Sequence, residues 1–244
     1  METLIKIKEL SYEYSGIKAL EGIDLNIIEG ENLAIIGPNG SGKSTLLKII
    51  GGVIHPDRGD FYFRDTKITE QKLKDSHFSK SFYKSIGFVF QNSDTQLFCP
   101  SVYEEIAFGP VQMGMSNDLI EQRVKDCLEL LGIDHLKDRA PYNLSEGEKK
   151  KVAIACVLST NPDLLILDEP FNGLDMKTKK FLKDFIVKIN QAGKTVICAT
   201  HDFAYIKGIF KKVAVLSDNN KIVFVGDYEK IIANENFLTS IGLN

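Results

Sequence analysis

No apolar run in this sequence is long enough to cross a bilayer. The runs it has, such as Leu33-Ala34-Ile35-Ile36 and Leu164-Leu165-Ile166-Leu167, are strand-length, against the roughly 20 residues a spanning helix needs. Charge of either sign is not in excess. Against 33 Asp and Glu stand 30 Lys and Arg, a net charge of −3, which excludes the footprint of a protein that wraps nucleic acid or lies along an acidic bilayer. Cysteine is scarce: Cys99, Cys127, Cys156 and Cys198 lack metal-ligand spacing, so neither zinc nor a disulfide is expected. Glu2, Lys6, Lys8 and Glu9 break up the N-terminus, which does not read as a signal peptide, and the cytosol is the expected compartment.

What is present is a foldable core. With 43% hydrophobic residues over 244 positions, disorder is excluded and one α/β domain with a subdomain is expected. Strands are predicted over Leu4–Tyr14, Ile23–Ile28 and Asn32–Ile36, then a glycine-rich loop and a helix over Lys43–Ile50. A short strand Asp60–Phe63 precedes a polar, lysine-rich surface segment, Lys67–Lys84, and a buried strand runs from Ile86 to Phe90. From Ser101 to Thr160 the apolar period changes from two to about 3.6. Ser101 with Glu104 and Ser145 with Glu148 are capping-box patterns, while Leu119, Ile120, Val124, Cys127, Leu128 and Leu131 line a helix that stops at Gly132. Strand Asp163–Asp168, helix Thr178–Gln191, strand Lys194–Thr200 and a hairpin turning at Asp218-Asn219-Asn220 complete the alternation of a mainly parallel α/β sheet.

Gly37-Pro38-Asn39-Gly40-Ser41-Gly42-Lys43-Ser44-Thr45 fits the phosphate-loop pattern in its required setting, after an apolar strand and before a helix. Glycines let successive N–H groups turn onto phosphates, and the helix N-terminus adds partial positive charge. Lys43 is then expected to span the β- and γ-phosphates, Ser44 to ligate Mg²⁺ and Thr45 to contact the α-phosphate. The run ending in Asp168-Glu169-Pro170 places two carboxylates at the C-terminal edge of a buried strand, where open α/β sheets bind ligands. Period-two alternation predicts that they point to opposite sides, Asp168 to the Mg²⁺ shell and Glu169 to the water that attacks the γ-phosphate.

Leu144-Ser145-Glu146-Gly147-Glu148 resembles the signature motif of ABC ATPases, and the order of motifs is similar to that family along nearly the whole chain. That order runs from an N-terminal aromatic through the phosphate loop, Gln91, the signature, Asp168-Glu169 and Gly173-Leu174-Asp175 to His201. The resemblance implies a P-loop NTPase of α/β fold with N-terminal antiparallel strands, a mainly parallel core sheet and an inserted helical subdomain. All of 1–244 is then one ABC ATPase domain, with core at about 1–91 and 161–226, helical subdomain at about 92–160 and a short helical tail at about 227–244. It further implies that Tyr14, or less well Tyr12, stacks on adenine, that Gln91 ligates Mg²⁺ or the attacking water, and that His201 contacts the γ-phosphate.

The resemblance also implies that Ser145, Gly147 and Glu148 bind ATP held by a second subunit, either a second copy or a paralogous ATPase, a contact favoured by the N–H groups and positive dipole end of the helix they open. Two departures from the family stand out: Glu146 where it has glycine, its carboxylate expected to point outward, and Lys151 where it has arginine. The four arginines, at 58, 64, 123 and 139, provide no arginine finger.

The segments Gln91–Phe98 and Ser101–Pro110 are similar to those of energy-coupling-factor importer ATPases, especially the cobalt/nickel type. This implies integral membrane subunits as partners, a place on the cytoplasmic face of the membrane, and no nucleic acid. Leu97 and Phe98 are either exposed anchors for a coupling helix or local core. The short tail after Asp227 favours the metal systems over the vitamin importers, and a soluble ABC ATPase of DNA maintenance or translation is the rival class.

Overall fold

The computed structural model describes residues 2–232. β1 (Thr3–Tyr14) and β2 (Ile17–Ile28) form an antiparallel hairpin across Ser15-Gly16. Alternation drives Ile5, Ile7, Ile23, Leu25 and Ile27 into the core, each worth about 1.5–3 kcal/mol of burial. β2 starts earlier than the apolar pattern predicts. Its first residues are exposed but pair with β1, Ile17 opposite Tyr14 and Lys18 opposite Glu13, so backbone bonding rather than burial extends it. β4 (Arg58–Phe63) pairs on the other side of β1, and β5 (Thr66–Lys67) closes the sheet in the order β2-β1-β4-β5.

The segment expected to be polar surface is largely exposed, and it folds into α2 (Glu70–Leu73) and α3 (Ser76–Ser85). Thr69 accepts a hydrogen bond from Lys72 N and Asp75 from Phe78 N, so each helix has a side-chain cap, although Phe82 is the one buried residue of α3.

The chain divides into two compact units, one taking the chain up to Ser79 and from Lys183 onward, the other Lys80–Leu182. In the first, β3 (Asn32–Ile36) is flanked in parallel by β8 (Thr195–Thr200) and β9 (Lys212–Leu216), with β10 (Ile222–Asp227) antiparallel to β9. The loop after β3 leads into α1 (Lys43–Ile50), as predicted. Here too lie the short helices α8 (Phe203–Ile206) and α9 (Tyr228–Ile232). The rest of the expected tail, 233–244, lies outside the described residues.

The second unit holds the parallel pair β6 (Ile86–Val89) and β7 (Leu164–Asp168) with α4 (Val102–Gln112), α5 (Asn117–Leu131) and α6 (Glu146–Leu158). α7 (Met176–Gln191) begins in this unit. α5 ends where predicted, with Gly132 at φ 62° returning its N–H to the last turn. Leu119 is 42% exposed, not on the buried face, because it sits one residue off the Ile120, Val124, Cys127, Leu131 stripe. No helix among the described residues is long and apolar enough to cross a membrane.

Candidate functional site

The loop from Gly37 to Thr45 is wedged in the first unit by its neighbours. A β-carbon on Gly37 would collide with the Leu216 carbonyl of β9, and one on Gly42, at φ 97°, with the Ala19 carbonyl of β2. These two glycines are therefore required by packing as well as by any phosphate. Asn220 Nδ2 of the β9–β10 turn also donates to Gly40 O at 3.1 Å. The buried Lys43 ammonium donates to Gly37 O at 2.8 Å and Pro38 O at 2.9 Å, so the cation is held over the loop. α1 has no side-chain cap at Gly42, and its first N–H groups face the loop in the manner of an anion site.

Register aligns one further predicted residue with this loop. Ile36 pairs with Thr200, so Gly37 and His201 leave the sheet at the same edge, with His201 exposed. Tyr14 is 43% exposed at the end of β1, its ring edge-on to the half-buried Tyr12 at 4.8 Å, which leaves Tyr14 the freer face for a base.

In the second unit, Val89 pairs with Leu167, bringing Gln91 and the Asp168-Glu169 carboxylates to one end of the β6–β7 pair. Gln91 is exposed, and both carboxylates are buried. The expected alternation does not extend to Glu169: the strand ends at Asp168 and Glu169 turns into the left-handed region at φ 43°. Strand periodicity fixes a direction only while the chain stays extended.

The helix end predicted from Ser145 and Glu148 is a complete capping box. Ser145 Oγ accepts from Glu148 N at 3.4 Å, while Glu148 Oε2 accepts from Ser145 N at 2.8 Å and Ser145 Oγ at 2.7 Å. These bonds from Ser145 hold the Glu148 carboxyl below the usual carboxylate range. Glu146 is exposed and its carboxylate lies 3.3 Å from Lys149 Nζ, while Lys151 Nζ sits 4.3 Å over the Phe181 ring of α7. Gly147 packs against Thr178, whose N–H and hydroxyl are both bound by Asp175 at 2.9 Å, joining the signature to the Gly173-Leu174-Asp175 turn.

Sequence reasoning missed the residues that support these. Buried Lys150 donates to Phe90 O at 2.9 Å and Gln91 O at 2.8 Å, and burial pushes its ammonium down to about 8 against the opposing pull of Asp168 and Glu146. Gln96 donates to Phe88 O and accepts from Phe90 N, closing the turn behind Gln91. Buried Glu105 accepts from Phe98 N at 2.8 Å and Cys99 N at 2.6 Å. Phe98 is 68% exposed and meets Phe108 edge-on at 5.0 Å, whereas Leu97 is half-buried, so only the first of the two expected anchors is a surface residue. Next to Phe98 a groove of about 530 Å³ is lined by Pro100, Tyr103, Ala107, Phe108, Val111 and Ile120.

A glycine loop cradled at a helix N-terminus, with carboxylates at a strand end, defines a P-loop nucleotide-binding protein. The family model described as ABC transporter matches residues 20–172. A Clostridium acetobutylicum protein named as an ABC transporter ATP-binding protein is 51% identical over 96% of this chain and 98% of its own length. The nickel import ATP-binding protein LarO of Lactiplantibacillus plantarum is 40% identical over 90% of this chain and 91% of its own. Among solved structures, CbiO1 from Clostridium perfringens, part of the ABC transporter complex CbiONQ, matches with a TM-score of 0.84 at 37% identity, covering 100% of this chain and 96% of that one. The chain belongs to the ABC transporter ATP-binding family and has its α/β P-loop fold. It is an ATPase.

Proposed function

We propose that this chain is the ATP-hydrolysing subunit of an energy-coupling-factor importer for cobalt or nickel ions, working as a dimer with integral membrane subunits at the cytoplasmic face of the membrane. The observation that carries the reading is similarity over nine-tenths or more of the chain to a nickel import ATPase and to the ATPase of CbiONQ. The exposed Phe98–Phe108 pair and its groove, in the segment that follows Gln91, support it by offering an apolar helix of a membrane partner a place to seat.

In this reading the glycine-loop N–H groups bind the ATP phosphates, and Lys43 exchanges its loop carbonyls for the β- and γ-phosphate oxygens. Tyr14 offers its ring to adenine. Glu169 takes the proton of the attacking water, and His201 donates to the γ-phosphate as charge moves onto it. The α6 end formed by Ser145, Gly147 and Glu148 contacts the triphosphate of the opposing subunit, which makes dimerisation part of catalysis. The residues that would hold Mg²⁺ by the family resemblance, through the Ser44 hydroxyl, the Asp168 carboxylate and the Gln91 amide, each offer the oxygen donor that this ion takes. Among the described residues no group of three or more His, Cys, Asp or Glu could hold a metal ion. When bound, Mg²⁺ would neutralise charge on the transferred phosphoryl group.

The test is co-expression of the tagged chain with cobalt/nickel-type membrane subunits, detergent extraction and metal uptake. Co-purification of the membrane subunits and ATP-dependent uptake are expected. A Glu169→Gln complex should assemble but lose about 10²–10⁴-fold in hydrolysis, the usual contribution of a general base. Co-purification with ribosomes or DNA and no membrane protein would overturn the assignment.

A further inference from the structure

Three successive lysines, Lys149 to Lys151, follow the first turn of α6, and two of them reach one target. Neighbouring residues on a helix point about 100° apart and do not usually share a partner. Here the turn after β6 wraps the side of the helix. Lys150 Nζ binds the Phe90 and Gln91 carbonyls, and Lys149 Nζ binds Asp94 Oδ1 at 2.7 Å. Both are anchored: Lys150 is buried, and the Lys149 side chain is only 12% exposed. Glu146 Oε1, 3.3 Å from Lys149 Nζ, draws on the same ammonium from the helix's own first turn. Behind Gln91 the turn is closed by Gln96, so it moves as a piece.

We infer that Lys149 and Lys150 form a two-pronged latch that fastens the turn bearing Gln91 to the head of α6, with Glu146 competing with Asp94 for the first prong. Displacement of Gln91 is then transmitted directly to the Ser145–Glu148 helix end. The carboxylate at 146 is held away from that end by the same lysine and loosens the latch by the share of Lys149 it takes. Lys149 and Lys150 are positioning residues that act through Gln91 and the helix end. The inference rests on the proposed roles of those two elements in the ATP sites.

The test combines hydrogen exchange with kinetics on the purified chain. In Lys149→Met and Lys150→Met, amides of 90–97 and 145–149 should exchange together about tenfold faster or more. In both variants kcat should fall about tenfold with KM for ATP within about twofold of the parent. Lys149→Arg, which keeps the Asp94 pair, should retain parental exchange and turnover, and Glu146→Gln should slow exchange in 92–97. The Lys149 variants, at a side chain less buried than that of Lys150, keep the test open should Lys150→Met fail to fold. Parental exchange in 90–97 in both Met variants, or faster exchange with unchanged kcat, would overturn the latch. Failure of the underlying site reading shows itself separately, as undiminished hydrolysis in Glu169→Gln.

Discussion

The Thr178 hydroxyl occupies the space in which a side chain at position 147 would begin: a β-carbon on Gly147 would come to 2.9 Å from Thr178 Oγ1. That hydroxyl is fixed, because Asp175 accepts from it and from Thr178 N. Alanine normally improves a helix by about 1 kcal/mol over glycine. Here Gly147→Ala should instead reduce ATP hydrolysis about tenfold or more, and Thr178→Ala should restore most of it in the double variant, a coupling that a double-mutant cycle measures. Equal effects of Gly147→Ala in the presence and absence of Thr178 would show that packing is not the reason for glycine.

Glu105 shapes the surface that would meet a membrane subunit without facing it. Its buried carboxylate holds the N–H groups of Phe98 and Cys99, and so fixes the loop that exposes the Phe98 ring. Hydrogen bonds to a charged group contribute about 1.5–3 kcal/mol each, so with two of them Glu105→Ala should lower unfolding stability by about 3–6 kcal/mol. Hydrolysis by the isolated chain should survive, while co-purification of membrane subunits is lost. Melting curves, ATPase assays and pull-downs on one preparation read out all three.

What the sequence made legible is what is local. The glycine loop lies between its own strand and helix, and the capping box joins Ser145 to Glu148 three residues on, so both can be read from spacing. Lys150 could not be found that way. Its acceptors are backbone carbonyls at a separation of 59 and 60 residues, and every residue has a carbonyl. α2 and α3 escaped because they are short and lysine-rich, α2 burying nothing and α3 only Phe82; their local marks were the caps Thr69 and Asp75. For Glu169 the strand rule was applied one residue past the strand, where the backbone is no longer extended.

Asn220 gives a prediction about the phosphate loop. It supports Gly40 O from the β9–β10 turn and itself occupies the left-handed region at φ 58°. Replacement by glycine keeps that backbone conformation and removes only the amide donor. A neutral hydrogen bond is worth about 0.5–1.5 kcal/mol, so Asn220→Gly should weaken ATP binding by up to about tenfold and lower the melting temperature by a few degrees at most. Titration with a fluorescent ATP analogue measures this, and unchanged affinity would mean that the loop holds its shape unaided.

Glu148 makes the head of α6 acid-sensitive. Its carboxylate accepts from Ser145 N and Oγ, and those bonds lower its pKa below the ordinary 4.5. A carboxyl whose folded pKa is lowered stabilises the fold above its unfolded value, and that contribution disappears as pH falls through the folded value. Glu148→Gln keeps a capping acceptor but cannot titrate. The stability difference between the parent and Glu148→Gln should therefore be constant from pH 7 down to about 5 and shrink below the ordinary carboxylate value, since all other carboxylates are common to both chains. Melting temperatures measured in parallel from pH 7 to pH 3.5 test this. A difference that stays constant across the series would mean that the charge of Glu148, as distinct from its hydrogen-bond acceptor, does nothing to hold the helix end.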